Sequence, residues 1–266
     1  MKTLTIGRTA LLIAGIVACL SLISCKKKDT TTGSTTVTTP ANGTVMLHLH
    51  TNVDTNEVGA YNQIYVMGGG RKISVALAQL YISGIQLVKI DGTTYDVTGL
   101  NILKVMEVEE YLLGSVPAGN YKSIRFNVGL SASTNTTTPA SNDSTLNRPL
   151  MWFGAMAQPS GYVFVNFQGK IDTSSAAHNT NAQMQSFSYK IGTNTHVKNV
   201  ILPDKNYSVI PSQVQFIHIT IDYSKLFNGI TLNNAANLDV NTVSDNAGSL
   251  GNQVANNIPA MFRYEM

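Results

Sequence analysis

A chain of 266 residues with 12% charged and 43% hydrophobic side chains has room for one large core or two small ones. Five of its 18 basic residues precede residue 43, against one of its 15 acidic ones, so the remainder is close to neutral with 13 basic and 14 acidic groups. That balance excludes a basic surface for nucleic acid, and none is expected as a partner.

The chain opens with Lys2 and Arg8, then an apolar run from Ala10 to Ile23. The run is too short to span a bilayer and fits the h-region of a secretory signal. It ends in Leu22-Ile23-Ser24-Cys25, which resembles the lipobox of bacterial lipoproteins. Residues 1–24 are therefore predicted to be a signal peptide. Cys25 is predicted to become the acylated first residue of the mature chain, held in the membrane by its lipid anchor. Of the two cysteines, Cys19 leaves with the signal and Cys25 is capped, so no disulfide framework and no cysteine nucleophile are expected. Lys26–Lys28 either touch anionic headgroups or form a solvated flank. Lysine rather than aspartate at position 26 favours the outer membrane, with the body facing the periplasm or the outside. Residues 25–42, rich in Thr, Gly, Ser and Pro, read as a flexible tether. The folded domain is expected over 43–266.

The domain reads as β-structure. Val45–His50 alternates with period two, and Ile73–Ile90 is a long β-branched and aromatic stretch interrupted at Gly84. Asp91-Gly92 is a hairpin signal before Thr93–Val97. Val116-Pro117-Ala118-Gly119-Asn120 is a turn leading into Tyr121–Val128. Alternation recurs over Gly161–Gly169, Phe187–Ile191, Val197–Leu202 and, most clearly, Val214–Tyr223. Many short strands between Thr-, Asn- and Gly-rich turns predict an all-β, antiparallel β-sandwich. Two short helices are expected, at Val105–Leu113 and at Asn252–Phe262, the second strained by Pro259.

The chain contains no Gly-rich phosphate loop, no His-Glu-x-x-His and no Gly-x-Ser-x-Gly, and no enzymatic activity is expected. Glu107, Glu109 and Glu110 read as the solvated face of the first helix. Three histidines lie in clear strand patterns. His48 and His50 share a face with Met46, opposite Val45, Leu47 and Leu49; His218 shares one with Phe216, Thr220 and Asp222, opposite Ile217, Ile219 and Ile221. His-x-His on a strand suits copper or zinc, because neutral imidazoles bind both. Spacing alone leaves open two surface imidazoles with no ligand. Trp152, the single tryptophan, is either an aromatic core plug or, with neighbouring methionines, part of a copper environment.

The order of segments resembles the MbnP-like family, lipoproteins or periplasmic proteins related to the copper-binding partner encoded at methanobactin loci. The resemblance covers about Gly43 to Phe262. It rests on His48-Leu49-His50-Thr51-Asn52-Val53, Leu80-Tyr81-Ile82-Ser83-Gly84-Ile85-Gln86-Leu87, Ile124-Arg125-Phe126-Asn127-Val128-Gly129, Met151-Trp152, Phe187-Ser188-Tyr189-Lys190-Ile191-Gly192 and His218-Ile219-Thr220-Ile221-Asp222, in that order. It implies a β-sandwich with a copper-related role and a di-haem, MauG-like peroxidase partner that oxidises a tryptophan to kynurenine. Carried over, Trp152 is the candidate for modification, and His50 and His218, then His48, are the candidate imidazole ligands. Two departures stand out. Trp152 is alone where many relatives have Trp-x-Trp, and Lys190 stands where many have histidine. The alternative reading is a metal-free scaffold that presents the loops Ser131–Asn147 and Ser174–Gln185 to a protein or glycan.

Overall fold

The computed structural model describes residues 41–176 and 182–265. The signal peptide, Cys25 and nearly all of the tether lie outside the described residues, as does part of the Ser174–Gln185 loop. The first half of the fold contains β1 (Asn42–Val53), β2 (Asn56–Glu57), β3 (Ile64–Val66), β4 (Lys72–Lys89), β5 (Thr94–Asp96), β6 (Ile102–Lys104), β7 (Glu110–Pro117) and β8 (Gly119–Val128). After the short α1 (Ala132–Asn135) come β9 (Val163–Asp172), β10 (Met184–Gly192), β11 (Lys198–Ile201), β12 (Tyr207–Val209), β13 (Val214–Asp222) and β14 (Asp239–Val240). Helices α2 (Val243–Ala247) and α3 (Ser249–Asn257) precede a last strand, β15 (Phe262–Tyr264).

The strands form two sheets. The smaller runs β15-β13-β1-β2, with β7 also paired to β1. The larger runs β11-β8-β4-β9-β10-β14, with β12 on β8 and β3, β5 and β6 on β4. Alternation decides which faces meet. Val45, Leu47 and Leu49 of β1 and Ile217, Ile219 and Ile221 of β13 are buried in one continuous core with Phe126 and Phe167 of the larger sheet. Each such side chain contributes about 1.5–3 kcal/mol by leaving water. Aromatic contacts join the layers, with Phe126 and Phe262 centred 5.1 Å apart and Phe167 and Tyr223 4.8 Å apart.

The structure is all-β with a few short helices, as expected, but the sheets are mixed rather than purely antiparallel. β1 pairs with β13 in parallel over Thr44–Asn52 and Val214–Asp222, and β10 pairs with β14 in parallel. Antiparallel pairing is enforced only where a hairpin joins neighbours. Nearly the whole domain separates β1 from β13, so packing sets their direction. Gly84 does not end β4. It takes φ +57° within the strand, where the register to β8 shifts between Ser83 and Gln86.

The expected helix at Val105–Leu113 is absent. Met106 and Glu107 form a turn, and from Glu110 the chain is β7, paired to β1 from Glu110↔His48 to Pro117↔Asn42. A helix of that length is marginal by itself, whereas β1 offers an unpaired edge and takes the strand. At the other end α3 stops at Asn257, and Pro259 starts a 3-10 turn over Ile258–Met261. A proline ring removes an interior helical hydrogen bond but is tolerated in a first turn.

Candidate metal centre

The outer face of the smaller sheet carries the polar residues of β1 and β13. Parallel pairing sets His48 directly beside His218. The ring centroids lie 4.8 Å apart, and the two Nδ1 atoms 3.0 Å apart. His50, two residues along β1, stands edge-on to His48 at 4.4 Å between centroids. Glu265 follows β15 directly. Its N–H donates to the His218 carbonyl at 3.2 Å, which continues the β13–β15 register and brings its side chain to the same face. Glu265 Oε2 is 3.1 Å from His218 Nδ1 and 3.4 Å from His50 Nε2.

One donor atom from each of His48, His50, His218 and Glu265 falls within 4.8 Å of the others. Ligand atoms about 2.0–2.2 Å from one zinc- or copper-sized ion, at angles of 90–110°, are about 2.8–3.6 Å apart. The separations of 3.0, 3.1 and 3.4 Å match that spacing.

The far sides of two rings explain why their lone pairs face inward. Glu109 Oε2 lies 3.2 Å from His48 Nε2, and Glu57 Oε1 lies 3.2 Å from His50 Nδ1. An ionised carboxylate only accepts, so each of these nitrogens carries the proton. His48 is left with its lone pair on Nδ1 and His50 with its lone pair on Nε2. The His50 Nε2 atom is buried and, at 3.4 Å from Glu265, lacks hydrogen-bond geometry, so it is an orphaned acceptor. An orphaned buried ring nitrogen costs about 1–3 kcal/mol unless something else fills it. Carboxylate–imidazole–metal relays have this arrangement, in which the outer acid fixes the tautomer and raises ligand basicity. The residues present therefore fit a divalent or monovalent transition ion.

The three strand histidines come together, and Trp152 does not join them. It bridges Tyr162 and packs with Tyr81, Leu130, Met151 and Phe164 in a second cluster. Tyr81 and Phe164 alternate with Leu80, Ile82 and Val165, which belong to the shared core. The Trp152 cluster therefore covers the outward face of the larger sheet. Lys190, opposite Asn166 on β9, lies on that sheet as well; Tyr189 and Ile191 on either side of it face the shared core. Asn166 itself donates to the Leu150 carbonyl, two residues before Trp152. The buried Trp152 Nε1 has no hydrogen-bond partner.

Sequence reading missed the carboxylates. Glu109 belongs to a turn and not to the solvated helix face expected of it, while Glu57 and Glu265 carry no local signal. Asp222, on the polar face of β13, serves the structure instead. It accepts from the N–H groups of Asp54 and Ser224 and pairs with Lys225 at 3.3 Å and Arg263 at 3.6 Å. His196 is a further buried histidine, outside this cluster. Its Nδ1 faces the Gly192 carbonyl at 2.8 Å and its Nε2 the Asn252 Oδ1 at 3.1 Å.

Fold and cluster together define a two-sheet β-protein with an imidazole–carboxylate cluster of metal-ligand spacing on one outer face. The family model MbnP matches residues 42–244, and the chain belongs to that family. Among solved structures it is similar to MbnP from Methylosinus trichosporium, with 15% identity and a TM-score of 0.50 over 72% of this chain and 80% of that one; at this identity the likeness is one of fold. No curated protein matches.

Proposed function

We propose that the protein is a cell-envelope lipoprotein that binds copper through His48, His50 and His218, with Glu265 as the fourth donor. The observation that carries this reading is the convergence of the inward lone pairs of His48 and His50 on His218 Nδ1 and Glu265. Imidazole with carboxylate is a borderline donor set, for which copper(II) stands above zinc in affinity. His218 is the most exposed ring, with 45% of its side chain accessible, and marks the side from which the ion enters. Trp152 supplies no donor in this reading. Its oxidation by a di-haem peroxidase, implied by the family resemblance, is a separate proposal about the other sheet. Intact mass and peptide mapping of native protein test it, since kynurenine adds one oxygen and removes one carbon.

Titration of the purified chain with copper(II), followed by electron paramagnetic resonance, tests the binding reading. One ion per chain with imidazole nitrogen coupling is expected, and competition by zinc should be weaker. The paired change His50→Ala and His218→Ala should abolish the signal in a protein that still melts cooperatively. If neither copper(I) nor copper(II) binds more tightly than about millimolar, the reading fails, because a preformed set of three imidazoles holds copper well below that concentration.

A further inference from the structure

Lys104 ends β6 with none of its surface exposed, a rare position for a lysine. Its Nζ donates to two backbone carbonyls, Val105 and Val108, at 2.7 Å each. The Tyr111 hydroxyl holds the same two residues from another side. It accepts from the Val105 N–H at 3.1 Å and donates to the Val108 carbonyl at 3.1 Å. The turn between β6 and β7 is thus clamped at both ends by one buried ammonium and one phenol. The next residue is Glu109. Its carbonyl accepts from the Leu49 N–H at 2.8 Å, and its carboxylate meets His48 Nε2.

We infer that the Lys104–Tyr111 clamp is a positioning device for the metal centre, holding the turn so that Glu109 keeps His48 protonated on Nε2 and its Nδ1 free for the ion. This deepens the proposed metal binding and rests on it. Electrostatics point the same way. Burial pushes the Lys104 ammonium down to about 8, and the charges that oppose this are Glu109, Glu107 and Glu57. Two of those three carboxylates are the ones that face the imidazoles of β1. A buried cation that bonds only neutral carbonyls holds the turn without occupying these carboxylates. Their lone pairs stay available to the histidines. Burial also pushes the Tyr111 phenol up to about 12, so it remains the neutral donor that the Val108 carbonyl requires.

The test is a mutant cycle with two readouts on the full chain. Copper(II) affinity is measured by competition titration for wild type, Lys104→Met, Glu109→Gln and the double variant. The tautomer of His48 is read from ring nitrogen chemical shifts in the metal-free protein. Lys104→Met should weaken copper binding about 10–100-fold, the usual range for loss of an outer partner, and less than about threefold in the Glu109→Gln background. It should also shift His48 away from the Nε2–H tautomer. Tyr111→Phe, which removes one oxygen and leaves the ring in place, should produce the same two changes at smaller size if Lys104→Met does not fold. The inference is overturned if the His48 tautomer is unchanged in the folded variants, or if the Lys104 and Glu109 effects multiply independently. Should wild type bind no copper, the binding proposal alone fails, and the tautomer arm still decides the role of the clamp.

Discussion

His50 carries the most one-sided environment of any residue in the cluster. One nitrogen is committed to Glu57 at 3.2 Å, and the other is buried without a partner. The acid and the orphan have different costs. Glu57 is 59% exposed, so its pair with His50 contributes about 0–1 kcal/mol to folding. Its contribution to ligand orientation is larger. Glu57→Gln should leave the melting temperature within about 3 °C of wild type, as expected for a stability change below about 1 kcal/mol in a domain of this size. It should weaken copper binding about 10–100-fold. Calorimetric melting and competition titration separate the two, and equal loss in both would mean that Glu57 is structural. At this scale the sequence was informative about imidazoles and silent about acids. Period-two alternation is a property of neighbours in the chain, and it set His48, His50 and His218 on polar faces. Glu109 and Glu265 become partners only through pairings of distant strands, and Glu57 only through the β1–β2 hairpin that folds it back beside His50.

At the scale of elements, β4 is the spine of the larger sheet, with β9 and β8 successively along its length. Where β4 meets β9 the register shifts between Val75 and Leu77, and the opposing residue is Gly169. A Cβ at position 169 would run into the carbonyl oxygen of Ser74 on the neighbouring strand, with the Phe187 ring behind it. The backbone there has ordinary φ, so the constraint is close approach and not handedness. Gly169→Ala should therefore destabilise the fold by about 1–3 kcal/mol, the usual cost of overpacking. Urea unfolding checks this, and a wild-type midpoint would show that the two strands separate without cost. The turns at Asp91-Gly92 and Val116–Asn120 were legible because glycine, proline and asparagine act locally. The region after Lys104 was not. Its residues have no strong preference, and the free edge of β1 converts it to strand.

For the whole molecule, the alkaline limb of stability follows from buried phenols. Burial raises Tyr81, Tyr189, Tyr207 and Tyr223 well above the ordinary value of 10.0. Below pH 10 these groups are neutral in both states, and their contribution is intact. Above it the unfolded chain releases protons that the folded chain keeps, so stability falls as pH rises. Lys104 acts in the opposite sense. Its folded value of about 8 lies below the unfolded 10.5, so the unfolded chain binds the extra proton and stability rises with pH between the two. Tyr61, Tyr111, Tyr121, Tyr162 and Tyr264 are raised by burial as well, so one lysine against nine tyrosines predicts a shallow gain up to about pH 10 and a steeper loss beyond it. Denaturant titrations at pH 7, 9.5 and 11.5 would show this order, and a stability that climbs past pH 11 would contradict it.

By itself the sequence determined the strand faces, most turns, the all-β class and the three imidazoles, because each depends on the order of residues within a few positions. The succession of segments also carried the family. Only the tertiary structure decided the parallel pairing that puts His48 against His218 across 170 residues of chain, the Glu265 that completes the donors, and the separate face given to Trp152. The physical reason is register. A strand pairs where the summed burial of its inward face is greatest, and that sum runs over residues from every part of the domain.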